Sequence, residues 1–375
     1  NKRLKDILNV NIIHYKIFSG KFITYESDGN ATEYDIASKQ IIFKGEYYKG
    51  MRNGKGKEYD NNELIYEGEY LNGKRHGNGK EYSGNKHLLF EGEYLKGKKH
   101  GNGKEYYYEG DLKFVGKYLK GKRWNGKGYD RNNKIIYKLK NGKGYVIEYD
   151  IFYTLLFKCQ YLNGEKNGKG EEYYSNDKIK FEGEYLNGNR FNVKGFNPNE
   201  ENKLYELKEG KGYMKEFSFY EKLNKDGLHD SYYFVQSEGE YLNGKRNGNG
   251  KDYNDRGRLM FEGEFKNGKR NGKGKEYNNR DNRDILLFEG EYLNGNRWKG
   301  KEYKDEKLEF EGQYLNKRKF KGKLYNNDGK FIFDGLLLYD KFLKGKEYIN
   351  GYLEFEGEYI NGKKWMEKDM IKMEI

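Results

Sequence analysis

The sequence predicts an all-β protein: an elongated, twisted antiparallel β-meander, a solenoid of one short β-hairpin repeated along the chain, with short helical caps at its ends. Three observations predict it. The stretch FEGEFKNGKRNGKGKEY, Phe261 to Tyr277, recurs as YEGEYLNGKRHGNGKEY at Tyr66–Tyr82 and FEGEYLKGKKHGNGKEY at Phe90–Tyr106. A chain made by copying one unit draws its fold from stacking the copies. Within each copy apolar and polar residues alternate with the period of a strand, and Asn267-Gly268 is a strong hairpin-turn signal, because both residues tolerate positive φ.

Composition alone argues the other way. With 34% hydrophobic and 35% charged residues and a mean hydropathy of −1.21, there is little apolar surface to offset the entropy of folding. Two features outweigh this. Aromatics reach 17%, mostly Tyr and Phe, which suit a pleated, half-buried surface. The 51 glycines stand at fixed offsets, as conformationally required residues do. A single proline, Pro198, and alanine only at Ala31 and Ala37 disfavour proline-rich linkers and a helical protein. The lone Cys159 excludes an intramolecular disulfide and a cysteine-rich zinc site, and fits a reducing, cytoplasmic compartment. No apolar run approaches the roughly 20 residues of a membrane-spanning helix. The chain opens at Asn1 rather than Met, which leaves room for a preceding segment.

Taken in order, residues 1–16 form an N-terminal cap, with Leu4, Ile7, Leu8 and Ile12 at helical spacing. The repeat region is 17–365. Its anchor is aromatic-x-Gly-x-aromatic: Phe18-Gly20-Phe22, Phe43-Gly45-Tyr47, Tyr66-Gly68-Tyr70, Phe90-Gly92-Tyr94 and Phe114-Gly116-Tyr118, spaced by 23 to 25 residues. Two stretches, 130–157 and 190–236, are irregular. In Tyr137–Tyr145 and Tyr205–Tyr213 the Gly-Lys-Gly follows early, as if the turn and its flanks had been removed. Residues 214–236 read as an insertion or an extended hairpin. The tail 366–375 is a C-terminal cap, since a stack of strands otherwise ends in an exposed edge. About fifteen units result, and two strands each at about 4.8 Å predict a ribbon of about 130–150 Å.

Within one unit, Phe261, Gly263 and Phe265 share a face, and Glu262 and Glu264 share the other. The glycines leave room for rings to lie across the backbone. Lys275 falls opposite Glu262 or Glu264, and such pairs neutralise most strand lysines.

Tyr66-Glu-Gly-Glu-Tyr70, Asn72-Gly-Lys-Arg-His-Gly77 and Gly79 together resemble the MORN repeat, and the resemblance spans about residues 18–365. It implies a β-hairpin repeat fold used in scaffolding, in protein–protein binding and, in some members, in attachment to acidic phospholipids. Members with enzymatic activity carry a separate catalytic domain, and no stretch outside these repeats is long enough for one.

The candidate functional residues are the basic pairs after each turn: Lys74-Arg75, Lys98-Lys99, Lys122-Arg123, Lys245-Arg246, Lys269-Arg270, Arg318-Lys319 and Lys363-Lys364. All should emerge along one edge as a cationic rail, interrupted at the two short units. The formal net charge of +13 suits an acidic partner. The bland alternative is that turns are solvated and lysine-rich on any soluble protein. No catalytic, cofactor or metal residues are expected. His76 and His100 occupy equivalent turns about 10 Å apart, too far to share a metal. Gly-x-Gly pairs such as Gly54-Lys-Gly56 lack the third glycine of a dinucleotide loop. Asn30-Ala-Thr32 matches a glycosylation acceptor. Base stacking on the aromatics is disfavoured because sheet packing explains their spacing. The sequence thus points to a non-enzymatic scaffold that binds other proteins or itself, or alternatively to a peripheral adaptor on acidic phospholipid.

Overall fold

The computed structural model describes residues 21–365, apart from 27, 36–37, 199–202, 224–228, 281–282, 339 and 361–362. Both expected caps lie outside the described residues. Among those described, thirty strands follow one another with no α-helix, broken only by a 3-10 turn at Gly84–Lys86. They fall into three open antiparallel sheets in chain order. The fold is the all-β hairpin meander.

Two units divide the chain, Asn1–Gly188 and Asn189–Ile375. In the first, eleven strands from Lys21–Tyr25 to Ile135–Leu139 make one sheet, and another begins at Gly144–Tyr149. In the second, thirteen strands from Gly212–Leu223 to Lys363–Trp365 make one sheet. The described residues of 214–236 form the two arms of an extended hairpin, in which Gly212–Leu223 pairs with His229–Leu242.

The repeat at Phe261 shows how the sequence makes a hairpin. Strands Leu259–Lys266 and Lys269–Arg280 are joined by Asn267 and Gly268 at φ of 51° and 81°. Positive φ at both central residues is the requirement of the turn that matches strand twist. Gly263 faces Gly274, and Glu262 faces Lys275. Most hairpins also carry a bulge that the alternation does not announce. At Gly77 (φ 59°) and Gly248 (φ 107°) the ladder slips. There the second Glu of the motif accepts a backbone N–H: that of Asn78 on Glu69 at 3.1 Å, and that of Asn249 on Glu240 at 3.0 Å.

Glycines pair with glycines from strand to strand, in one row from Gly45 to Gly126 in the first unit and another from Gly239 to Gly357 in the second. The rings require it. A Cβ on Gly56 would lie 2.3 Å from Cζ of Phe43, and one on Gly79 would lie 2.2 Å from Oη of Tyr66. In the regular hairpins the aromatics form edge-to-face runs, in which Phe261 meets Phe265 of its own hairpin at 5.4 Å and Tyr292 of the next at 5.2 Å. Such pairs each contribute about 0.5–1.5 kcal/mol beyond burial.

Candidate functional site

Four of the basic pairs, Lys74-Arg75, Lys98-Lys99, Lys245-Arg246 and Lys269-Arg270, have an exposed first member and a half-buried second; Lys122-Arg123 and Arg318-Lys319 are half-buried at both members, and Lys363-Lys364 is exposed at both. The alternation that sends Phe261 inward also sends the second basic residue inward. The Arg75 guanidinium lies 3.9 Å from the centre of the Tyr66 ring, and Arg270 lies 3.9 Å from that of Phe261. Lys99 sits 3.9 Å over Phe90, Arg123 4.9 Å over Phe114, Arg246 3.7 Å over Phe265 and Lys319 5.6 Å over Phe310. There they meet the carboxylates of the Lys-Glu-Tyr segments. Arg270 joins Asp252 at 2.9 Å to Glu276 at 3.2 Å, Arg75 joins Glu58 to Glu81, and Lys99 pairs with Glu81 at 2.9 Å. Tyrosine hydroxyls complete the network by donating to the same carboxylates, as Tyr70 does to Glu58 at 2.8 Å and Tyr314 to Glu302 at 2.7 Å. A half-buried chain of alternating cations and carboxylates therefore runs beneath the rings. Arg123 binds Glu105 and, from the adjoining sheet of the first unit, Glu148 at 2.6 Å.

Protonation states follow from this geometry. Burial opposes ionisation of Glu105, but the charge and hydrogen bonds of Arg123 outweigh it and hold the carboxyl down at about 2. Glu58, against Arg75, is lowered in the same way. Burial lifts the Cys159 thiol to about 11, so this cysteine is a packing residue with little thiolate character.

Most first members of the pairs stay outside. Lys74, Lys98, Lys245 and Lys269 are exposed, Lys122 is partly covered and pairs with Glu165 at 2.7 Å, and Arg318 is half-buried. They do share one edge within each unit, because the turns are stitched together. The turn N–H of Gly73 donates to the Arg52 carbonyl at 2.9 Å, Gly97 to Arg75 at 2.8 Å, Gly121 to Lys99 at 2.8 Å and Gly268 to Arg246 at 2.8 Å. The sequence suggested an interruption at the short units, but within each unit the turn edge passes through them. They keep their reversals, at Asn141-Gly142 and Glu209-Gly210, and an exposed lysine after each, Lys143 and Lys211. Gly142 donates to the Trp124 carbonyl and Gly210 to that of Phe191, both at 2.7 Å. Strand flanks were removed; the turn was not. Beside the lysines of each unit stand exposed leucines that sequence reasoning missed. Leu71, Leu95 and Leu242, opposite Lys74, Lys98 and Lys245, are 45%, 41% and 37% exposed. The signal for them was the recurrent Tyr-Leu-Asn-Gly.

The second unit holds a groove of about 940 Å³ on the face opposite the rings. Its floor is backbone at the glycine row. Its walls are the residues on either side, including Lys273 and Lys275, Glu289 and Glu291, and Lys299 and Lys301. The expected neutralisation of strand lysines holds for some, such as Lys104 with Glu91 at 3.3 Å and Lys346 with Glu356 at 3.4 Å. It fails in this groove, where Lys273, Lys275, Lys299, Lys301 and Lys323 have no ion pair among the described residues. The carboxylates across from them are engaged by tyrosine hydroxyls: Tyr277 donates to Glu262 and Tyr303 to Glu289, both at 2.7 Å. No group of three or more metal-ligating side chains forms among the described residues. Thr32 is 4% exposed within the strand Asn30–Asp35, so the glycosylation match lies in packed structure.

Fold and sites together define an antiparallel hairpin-repeat protein with an aromatic and ionic interior. The family model described as "MORN repeat" matches residues 43–63, 66–87, 90–112, 160–178, 238–251 and 261–281. With the hairpin succession described above, this makes the chain a MORN-repeat protein. No curated protein sequence matches it. Similar solved structures include TarM, at 16% identity over 37% of this chain and 26% of that chain with a TM-score of 0.22. A variant of S. aureus TarM in complex with fondaparinux, α-GlcNAc-glycerol and UDP is 13% identical over 42% and 24% of the two chains, TM-score 0.18. The Photorhabdus luminescens Tc holotoxin pore is 10% identical over 90% and 23%, TM-score 0.15. The chain spans about a quarter of the length of each, and these likenesses carry no functional argument.

Proposed function

We propose that this chain is a non-enzymatic scaffold whose repeated strands present binding surface to other proteins or to further copies of itself. One observation carries the reading: the side chains with chemistry to offer recur in rows rather than converging. The cations and carboxylates with the strongest perturbation, Arg123 and Glu105, serve the interior. What faces solvent is a repeated edge and a charged groove, features that suit extended recognition. The test is to purify the full-length protein under native conditions from its own cell, with mass determination in solution. A stoichiometric protein partner or a defined oligomer is the expected result. A monomer without any co-purifying protein would contradict the reading.

A second reading, a peripheral adaptor at an acidic membrane surface, is favoured by the exposed leucines beside Lys74, Lys98 and Lys245. Near an acidic bilayer each lysine contributes about 1 kcal/mol. The test is flotation with anionic liposomes, comparing wild type with a Lys74→Ser, Lys98→Ser, Lys245→Ser and Lys269→Ser variant. Arg75 and Arg246 are left intact because they hold the interior together. Loss of salt-sensitive flotation in the variant supports the adaptor; no flotation of the wild type removes it.

A further inference from the structure

The turn edge of the first unit carries charge of one sign. Residues 48–51, 71–74, 95–98, 119–122 and 140–143 make five successive reversals along it, and together they hold eight lysines and no Asp or Glu. Seven of the eight are exposed and have no ion pair among the described residues; Lys122 pairs with Glu165 of the following turn at 2.7 Å. The next side chains inward on the same face are Glu46, Glu69, Glu93 and Lys117. Those three carboxylates are turned back onto the backbone N–H groups of Lys55, Asn78 and Asn102 at 3.0, 3.1 and 2.8 Å. With this row included, nine lysines stand against three carboxylates. The run has limits. Glu26 and Asp28 occupy the turn before it, and in the second unit the turn at 293–296 has no lysine while that at 208–211 contains Glu209. Charge complementarity therefore selects a negatively charged occupant for this edge.

The direction of the apolar side chains decides what kind. The two central residues of each reversal are Lys-Gly or Asn-Gly throughout, so the tips are polar. Apolar side chains begin one residue back. Tyr70 and Tyr94 point toward the rings, so Leu71 and Leu95 point to the opposite face, each directly across from a lysine, Lys74 and Lys98. Tyr48, across from Met51 in the first hairpin, is 60% exposed. A bilayer meeting the edge head-on reaches the tips and not these side chains. A peptide lying along the face reaches both, with acidic residues on the lysines and apolar ones on Leu71 and Leu95. The hydrogen bonds from turn to turn hold the surface in place beforehand, so little ordering is left to oppose binding. Successive hairpins advance about 9.6 Å, so five turns span about 38 Å, the reach of about twelve extended residues.

We propose that the turn edge of the first unit binds an acidic peptide segment of about twelve residues, with apolar residues between its acids, laid along the face opposite the rings from Lys49 to Lys143. The inference rests on the protein-binding reading above and names the chemistry of the partner.

The experiment is fluorescence anisotropy of the full chain with two labelled peptides, (Glu-Glu-Leu)4 and (Glu-Glu-Gly)4, which carry the same number of carboxylates. The first should bind at least about tenfold tighter, a difference of about 1.4 kcal/mol. Its affinity should fall with added salt. Lys74→Gln, Lys96→Gln, Lys98→Gln and Lys120→Gln together should weaken it by at least about tenfold. Leu71→Ser and Leu95→Ser together should abolish the preference for the leucine peptide and leave flotation on phosphatidylserine vesicles unchanged. Lys266→Gln and Lys317→Gln, in the other unit, should leave peptide binding unchanged. Circular dichroism checks that the variants keep their β signal, as exposed positions should allow. Equal affinity for the two peptides, insensitivity to the quadruple variant, or no binding up to about 1 mM would each overturn the proposal. So would a leucine variant that loses flotation but keeps the peptide preference, which would return the edge to the membrane. If a partner co-purifies and the quadruple variant retains it, the scaffold reading stands and the edge inference falls.

Discussion

The regular hairpin Phe261–Tyr277 and the short hairpin Tyr137–Tyr149 share a turn and differ in almost everything it joins. In the regular form ten residues separate the paired glycines Gly263 and Gly274; in the short form six separate Leu139 and Val146, which take the same places in the ladder. The four missing residues include the second aromatic and the inward cation. The larger side chains at the glycine positions fill the space those would occupy, and Leu139 and Val146 are 5% and 2% exposed. The second short hairpin makes the same exchange with Leu207 and Met214, both fully buried. At each one the sheet ends, and only a single bridge, Lys140 with Lys143 or Lys208 with Lys211, spans the reversal. Sheet continuity thus goes with the full length of the hairpin, and the reversal is indifferent to it.

The largest expected effect lies where sheet and sheet meet within the first unit. Arg123→Ala leaves Glu105 charged and without its ion pair, and Glu148 with Lys113 alone, and should lower stability by about 3–5 kcal/mol in denaturant unfolding. Lys74→Ala, outside the network, should stay within about 0.5 kcal/mol. Equal effects would break the division of the basic pairs into an inner and an outer member.

Next come opposite substitutions at equivalent positions. Leu207→Ala should cost about 2–5 kcal/mol by opening a cavity. Gly56→Ala should cost about 1–3 kcal/mol by overpacking, since its Cβ meets Phe43. If both changes proved neutral, the two hairpin types would not be distinct packing solutions.

Acid should then loosen the interior. The folded carboxyls of Glu105 and Glu58 lie below their ordinary values, so their contribution is complete above about pH 4.5 and is lost as the pH falls toward about 2. Unfolding midpoints between pH 6 and pH 2 should drop accordingly, and less steeply in Arg123→Ala.

The smallest effect expected is that of Tyr66→Phe. The Tyr66 hydroxyl is buried without a hydrogen-bond partner where most repeats have Phe. Its removal should change stability by less than about 1 kcal/mol, in the stabilising direction, in thermal unfolding.

Much of this was legible beforehand. Periodicity located the strands, Asn-Gly located the turns, and glycines facing rings were evident from spacing, because each is a property of neighbours in sequence. The fate of Arg75, Arg246 and Arg270 was not. Adjacent basic residues look alike in a sequence, and cross-strand pairing of the second one with the second aromatic decides which of them turns toward the rings. Nor could the sequence show that Asn141-Gly142 and Glu209-Gly210 keep their place along the turn edge, since deletion of flanks and deletion of a turn leave the same shortened spacing.

By itself, then, the sequence determined the repeat, the hairpin and the face on which the aromatics lie, all consequences of local alternation and of which residues accept positive φ. Only the tertiary structure decided which charges are spent inside and which are left to a partner. That depends on cross-strand register, which sets Arg270 between Asp252 and Glu276 yet leaves Lys275 and Lys301 facing an open groove. Register is fixed by bulges, ring packing and the glycine row acting across strands, and none of these is contained in any one copy of the repeat.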